Sequence, residues 1–200
     1  MPTTTRTFAE IAEGKKIIII TAPSGSGKTS ITRHLLKKFP SLSFSISAAT
    51  RKPRGIETTG RDYYFMSDAE FQQKIQHDEF VEWEMVYEGN YYGTLKSELI
   101  NIWNRNQVPV LDIDVKGAIH VQQQNPSGVL SLFIEPPSIE ELKRRLQSRG
   151  TETDDSLQAR INKASFELSF KHSFSKTIIN TRLDDALREA EELVKQFLEN

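Results

Sequence analysis

Ile17-Ile18-Ile19-Ile20-Thr21-Ala22-Pro23-Ser24-Gly25-Ser26-Gly27-Lys28-Thr29 is the stretch from which the rest of the chain is read. A run of β-branched residues predicts a fully buried strand. A Gly/Ser turn follows. Ile31, Leu35 and Leu36 then fall at helical spacing. Strand, loop and helix in this order are what a phosphate-binding loop requires. Gly25 and Gly27 let the main chain curl so that successive N–H groups face an anion. A helix beginning near Lys28 adds the positive end of its dipole. Lys28 supplies a point charge for the β- and γ-phosphates, and Thr29 a hydroxyl for Mg²⁺. The pattern Gly-x-x-x-x-Gly-Lys-[Ser/Thr] is met except at its first position, where Ala22 must make the turn with a negative φ. A glycine-rich cap on an ordinary βα unit is the plain alternative; the strand and helix flanking the loop weigh against it. The chain is expected to bind a nucleoside triphosphate.

Two hundred residues suit one α/β domain with small insertions and a sizeable core. The 27 acids nearly cancel the 26 bases, so no bulk basic field points to nucleic acid. Local clusters must do any anion binding. The chain has no cysteine, which excludes disulfides and Cys-ligated zinc and fits a reducing compartment. No apolar run is long enough to span a bilayer. The first 14 residues lack the apolar centre of a signal peptide. A cytoplasmic protein without membrane or nucleic-acid partners is the expectation. His34, His77, His120 and His172 show no metal-ligand spacing.

In chain order, residues 1–14 read as a loose arm. Strand one covers about 16–21, and a helix about 27–39 stops at Pro40. Ser43 to Ala49 alternates and reads as one strand. Thr50 to Asp62 is polar, with a proline and two glycines, and reads as a long ordered loop. Tyr63 to Phe65 is a strand. Ser67-Asp68-Ala69-Glu70 is a capping box opening a short helix. Phe80 to Tyr87 and Tyr91-Tyr92 are strands around a turn at Gly89-Asn90. This strand-rich block, about 46–96, interrupts a βα rhythm and reads as an insertion with its own small sheet. The rhythm returns with a helix at roughly 94–105, the strand Val108 to Asp114, a helix from Lys116 to Gln124, and the strand Val129 to Glu135. Ser138-Ile139-Glu140-Glu141 caps the next helix. After a break at Gly150 to Asp154, Ser156 to Lys171 is helical and Thr177 to Asn180 is a last strand. Leu183, Leu187, Ala190, Val194 and Phe197 share one face of a closing helix.

Chemistry concentrates in three places. Asp112 and Asp114 end an apolar strand two residues apart, where open α/β sheets place ligands. They read as carboxylates for the Mg²⁺ water shell, with helix N-capping as the alternative. Arg51 and Arg54 flank a proline in the long loop and suit a phosphomonoester, which guanidinium grips bidentately. Arg145 and Arg149 lie four apart on one helix face, and Arg160 opens a helix beyond the Gly150 break. This trio reads as a lid that closes over the transferring phosphoryl group; for Lys143 and Arg144 a solvated helix face is preferred. Ser47, Tyr63, Glu82, Tyr92 and Thr94 are polar groups of the inserted block. Glu82 sits between Val81 and Trp83, and a carboxylate among apolar neighbours needs donors. Guanine offers two adjacent N–H donors on its Watson–Crick edge and adenine does not. A surface Glu on an amphipathic strand is the competing reading.

Quoted together, Ala22 to Thr29, Thr50-Arg51-Lys52-Pro53-Arg54, Gly60-Arg61-Asp62-Tyr63-Tyr64-Phe65, Phe80-Val81-Glu82-Trp83, Gly89-Asn90-Tyr91-Tyr92-Gly93-Thr94, Leu111-Asp112-Ile113-Asp114 and Arg149-Gly150-Thr151-Glu152-Thr153 resemble guanylate kinase in family order across nearly the whole chain. The resemblance implies that Ala22, Pro23, Ser24, Gly25, Ser26, Gly27, Lys28, Thr29 and Ser30 hold ATP, with Asn180 near the adenine. It implies that Ser47, Arg51, Arg54, Tyr63 and Tyr92 hold the GMP phosphate and neighbouring groups. Glu82, Thr94 and Asp114 would read guanine, Asp112 would support Mg²⁺ and Lys28, and Arg145, Arg149 and Arg160 would be the lid arginines. Two departures stand out. Arg54-Gly55-Ile56-Glu57 places a glycine one position earlier than the family's Arg-x-Gly-Glu, which touches the local turn. Ala49 replaces a Thr or Ser, which removes one hydroxyl.

The expected architecture is α/β: a P-loop NTPase-type parallel sheet flanked by helices, with an inserted small mixed sheet that binds the nucleoside monophosphate and a helical lid. The expected regions are an arm at 1–14, a core at 15–45, 97–137 and 172–200, a GMP-binding region at 46–96 and a lid at 138–171. The expected reaction is reversible transfer of the ATP γ-phosphoryl group to GMP with Mg²⁺, which needs alignment and positive charge but no strong base. Two rivals are a scaffold module that reuses this fold for binding, and a kinase for another small acceptor. Intact Lys28, Thr29 and lid arginines argue against the first, Glu82 with Thr94 against the second. Oligomeric state is left open.

Overall fold

The computed structural model describes residues 7–148 and 154–200. In chain order the elements are α1 (Phe8–Ile11), β1 (Ile17–Thr21), α2 (Lys28–Lys38), β2 (Leu42–Phe44), β3 (Ala48–Ala49), β4 (Tyr64–Phe65), α3 (Asp68–Gln76), β5 (Phe80–Tyr87), β6 (Asn90–Leu95), α4 (Lys96–Asn104), β7 (Val108–Asp112), α5 (Val115–Gln124), β8 (Val129–Glu135), α6 (Ile139–Gln147), α7 (Asp154–Leu168), β9 (Lys176–Ile179) and α8 (Leu183–Glu199), with a 3-10 turn at Lys171–Ser173. Five strands form a parallel sheet in the order β2-β7-β1-β8-β9, and four form a smaller mixed sheet in the order β4-β3-β6-β5. This is the α/β architecture with an inserted small sheet that the sequence predicts. All of β1 is buried, as a strand inside a parallel sheet must be.

The chain divides into two compact units, Met1–Ile17 with Ser41–Val129, and Ile18–Pro40 with Leu130–Asn200. In the first, β2 pairs with β7 in parallel, Leu42 opposite Val108. The small sheet joins a parallel pair, β3 with β4, to antiparallel pairs of β6 with β3 and β5. The β5–β6 register shifts near Phe80/Glu82 and again near Met85/Tyr87. Phe71 of α3 anchors this sheet, stacked on Phe80 at 4.4 Å within a cluster that includes Ala48 and Leu95. The Ser67 hydroxyl accepts from Glu70 N and the Glu70 carboxylate accepts from Ser67 N, so the predicted capping box opens α3.

Two stretches differ from their sequence reading. Ser43 to Ala49 is not one strand. Leu42–Phe44 joins the large sheet and Ala48–Ala49 the small one. At the crossing, Ser45 N donates to the Val110 carbonyl and Ile46 N to Glu98 Oε1. Alternation states which faces a strand has, not which sheet it joins. Of the stretch read as a loose arm, residues 7–14 are folded. Thr7 and Glu10 form a capping box, Phe8 is buried and stacks on Trp103 at 6.3 Å, and Asn125 Nδ2 donates to the Lys15 carbonyl at 3.1 Å. One aromatic in a polar stretch gives no periodic signal, but the capping pair was legible.

In the second unit, β8 and β9 run parallel with Leu132 opposite Lys176. Leu142 and Leu146 of α6 pack with Leu157 and Ala164 of α7. His34 of α2 and Glu191 of α8 form a close pair that Lys38 extends. No described helix is long and apolar enough to cross a membrane.

Phe71→Ala should lower the unfolding free energy by about 3–5 kcal/mol, the usual cost of emptying an aromatic site. The measurement is the shift of the urea midpoint at unchanged slope. A loss below about 1 kcal/mol would show that the small sheet does not rest on this ring.

Candidate active site

The loop after β1 begins without strain at Ala22. Among the described non-glycine residues only Asp78 and Asn106 have positive φ, so Ala22 turns the chain in an ordinary conformation. Left-handed geometry falls on Gly25 (φ +95°) and Gly27 (φ +99°), which a side chain would strain. Gly27 is the N-cap of α2 and brings no capping side chain. The first amides of that helix are therefore not claimed by a cap, as an anion-binding terminus requires. Lys28 opens the helix, and Thr29 beside it is exposed.

Asn180 holds this loop from behind. It is buried; its Nδ2 donates to the Ser26 carbonyl at 2.7 Å, and a Cβ on Gly27 would collide with it. Its own carbonyl accepts from Arg145 Nη2 at 3.0 Å. Arg145 Nε donates to Glu141 Oε1 at 2.8 Å. Arg160 Nη1 donates to the Ser24 hydroxyl at 2.9 Å. The structure thus brings Ser24, Ser26, Gly27, Arg145, Arg160 and Asn180 together. Arg149 and the Gly150 break lie outside the described residues. Arg144 pairs with Glu141 from an exposed position, which agrees with a solvated face.

In the other unit, Glu82 is 6% exposed, so the surface-strand alternative does not hold. Its Oε1 accepts from the Thr94 hydroxyl at 2.6 Å. Its Oε2 occupies the space a side chain at Gly117 would fill, so the glycine in α5 is what admits the carboxylate. Burial pushes Glu82 up to about 7; the Thr94 hydroxyl opposes that rise, and the charges of Asp114 and Glu84 add to it. Glu82, Thr94 and Asp114 therefore form one electrostatic group. Asp114 is also the N-cap of α5, accepting from Lys116 N at 3.1 Å and Gly117 N at 2.9 Å. The capping alternative is realised for Asp114, while Asp112 closes β7 half-buried.

The aromatic end of the small sheet gathers Arg51, Tyr63 and Tyr92. Arg51 lies 4.7 Å from the Tyr63 ring centroid, and Tyr63 meets Tyr92 edge-on at 6.0 Å. Burial raises the Tyr92 phenol while the Arg51 charge lowers it. Arg54 is exposed. Ser47 enters through its backbone, its carbonyl accepting from Tyr64 N at 2.9 Å. A cavity beside Glu82 is lined by residues including Phe8, Glu84, Lys96 and His120. None of Arg51, Tyr63, Tyr92 and Thr94 lines it.

Sequence reasoning missed two acids. Glu98 of α4 is buried; it accepts from the Tyr64 hydroxyl at 2.8 Å and from Ile46 N at 3.1 Å. Its position three after Leu95 and four before Ile102 puts it on the buried face, a signal open to the eye. Glu57 pairs with Arg51 through both carboxylate oxygens, at 2.6 and 2.9 Å. The Arg54-Gly55-Ile56-Glu57 motif located this residue without naming its partner.

The guanylate kinase family model matches residues 14–197. The guanylate kinase of Bacteroides fragilis is 46% identical over 92% of this chain and 90% of its own length. That of Porphyromonas gingivalis is 43% identical over 92% and 98%. The crystal structure of guanylate kinase from Anaplasma phagocytophilum superposes with a TM-score of 0.73 at 28% identity, covering 91% of this chain and 85% of that one.

Because the folded-state value of Glu82 lies above that of an unfolded carboxyl, the free protein should lose stability as pH rises from about 4.5 to about 7, and no further above that. Glu82→Gln removes this loss. Unfolding measured at pH 5 and pH 8 should show the wild type falling further than the variant, by about 2–3 kcal/mol. Parallel falls would mean Glu82 is ionised throughout.

Proposed function

This chain belongs to the guanylate kinase family and is an ATP:GMP phosphotransferase, and from that premise we propose how its residues divide the work. The loop from Ala22 to Ser30 cradles the ATP phosphates with main-chain amides, and Lys28 places its charge on the β- and γ-oxygens. Support comes from the two left-handed glycines and the uncapped start of α2. Asn180 acts on the loop by holding the Ser26 carbonyl and stands at the adenine end of the site. Arg145 and Arg160, already hydrogen-bonded to Asn180 and Ser24, neutralise the equatorial oxygens of the transferring group. Arg149 is given the same task on its motif alone.

GMP is held by two groups of side chains. Arg51, Arg54, Tyr63 and Tyr92, with Ser47 beside them, take its phosphate. Glu82 accepts the N1–H and N2–H of guanine, Thr94 orders that carboxylate and faces O6, and Asp114 closes the group. The observation that carries this reading is Glu82 itself: a buried carboxylate whose hydrogen-bond donors come from Thr94 alone can accept the paired donors that only guanine among the common bases presents. Those donors would favour the ionised form and reverse the effect of burial.

The residues present fit magnesium. No group of three or more His, Asp or Glu that could hold a metal ion lies among the described residues, which suits an ion held mostly by phosphate oxygens and water. The Thr29 hydroxyl would be its protein ligand, with Asp112 acting through water. When bound, the ion would neutralise charge on the phosphates. A phosphate oxygen of GMP attacks the γ-phosphorus, the bond to the β-bridging oxygen breaks, and ADP and GDP result. The acceptor oxygen is already ionised, so the side chains align, exclude water and hold charge.

A coupled assay with ATP against GMP, AMP, CMP, UMP and dTMP should show turnover on GMP alone. Lys28→Ala should cut turnover at least about a hundredfold with the fold intact by circular dichroism. Glu82→Gln should raise KM for GMP by roughly tenfold or more and leave KM for ATP near its wild-type value. Equal weakening of both nucleotides would remove Glu82 from base recognition, and unchanged turnover in Lys28→Ala would remove the loop from the mechanism.

A further inference from the structure

The guanidinium of Arg51 has two usable edges, and a carboxylate takes one of them. Glu57 approaches end-on: Nη1–H donates to Oε2 at 2.6 Å and Nη2–H to Oε1 at 2.9 Å. The Lys52 carbonyl takes a further Nη1–H at 3.0 Å. The side edge, made of Nε–H and the second Nη2–H, meets no carboxylate or carbonyl among the described residues; the guanidinium's other polar contact is a hydrogen bond with the Tyr92 phenol, itself one of the groups assigned to the phosphate. One face of the guanidinium rests against Tyr63 at 4.7 Å, with Phe65 at 5.3 Å. The group is thereby fixed in position and in rotation.

Glu57 is itself held. Its Oε2 also accepts from Arg54 N at 2.8 Å, and its own N–H donates to the Arg54 carbonyl at 3.0 Å. Gly55 supplies a positive φ of +56° inside that turn. The early glycine therefore still delivers the carboxylate, and it closes the loop that carries Arg54.

We propose that Glu57 is a positioning residue for the GMP phosphate: it pins Arg51 by its end-on edge so that the Nε–Nη2 side edge is presented, ready-formed, as a bidentate phosphate fork. The proposal rests on the reading of Arg51 as a phosphate ligand. A long arginine loses considerable rotamer freedom when it binds, and Glu57 brings that ordering into the folded chain before GMP arrives. A carboxylate that merely occupied the phosphate position would act the other way. It would compete with GMP, and its removal would tighten binding. The sign of the effect separates the two.

The test compares wild type, Glu57→Gln, Arg51→Ala and the double variant, each confirmed folded by thermal melt. KM for GMP, KM for ATP, kcat and inhibition by guanosine, which lacks the phosphate, are measured. Glu57→Gln should raise KM for GMP about tenfold while KM for ATP, kcat and guanosine inhibition stay within about twofold. In the Arg51→Ala background the same substitution should add no more than about twofold. Unchanged or tighter GMP binding in Glu57→Gln, with Arg51→Ala still weakening it, would overturn the positioning role and leave the phosphate reading standing. Parallel weakening of guanosine would also overturn it, as loss of the loop rather than of the fork. If Arg51→Ala leaves KM for GMP unchanged, the phosphate reading falls and the proposal with it.

Discussion

Positive charge meant for a phosphate has to be held somewhere while no phosphate is there. In this chain each described arginine with a polar partner near the expected sites is held by one that is already part of the fold. Arg51 has the Glu57 carboxylate and two aromatic rings. Arg145 has Glu141 and the Asn180 carbonyl. Arg160 has the Ser24 hydroxyl. Flexible cations are costly to order at the moment of binding, and electrostatic catalysis depends on groups that do not reorganise during reaction. The surrounding structure accordingly supplies acceptors as well as donors. Glu57, Glu141, the Lys52 and Asn180 carbonyls and the Ser24 hydroxyl set the direction in which the guanidinium groups point.

The buried glutamate is the opposite case. Glu82 has little around it to favour its charge: the hydroxyl and main-chain N–H of Thr94, against burial and two acids whose fields oppose ionisation. Its place is made by absence, since Gly117 leaves the volume its Oε2 occupies. A carboxylate in that setting is a poor contributor to stability and a strong discriminator, because a partner lacking paired N–H donors leaves it unsatisfied. In the proposed function the two nucleotide phosphates are met by amides and cations, the base by an anion. That contrast lets a chain with almost no net charge handle two anionic substrates.

Much of this was readable from local pattern. The isoleucine run, the two loop glycines and the lysine after them specify strand, nest and helix through interactions within a dozen residues. The capping box at Ser67 and the N-cap at Ser138 hold because their bonds close within three residues. The Gly-shifted turn at Arg54 to Glu57 still forms, again by local bonds. What escaped was non-local. Ser43 to Ala49 divides between two sheets because the main-chain amides of Ser45 and Ile46 find acceptors on Val110 and Glu98, more than fifty residues away. Asn180, taken as a residue near a base, proves to hold the Ser26 carbonyl 154 positions before it.

The sequence by itself determined the fold class and the chemistry on offer: a phosphate nest, arginines in number, and a carboxylate among apolar neighbours. These follow from residue type and short spacing, where propensity, periodicity and turn geometry act. Only the tertiary structure decided how each group is used. It decided that Asp114 caps a helix while bearing on Glu82, that Phe8 packs onto Trp103, and that Glu57 takes the end-on edge of Arg51. Direction and burial are set by what the folded chain brings from far along the sequence, and no local pattern records them.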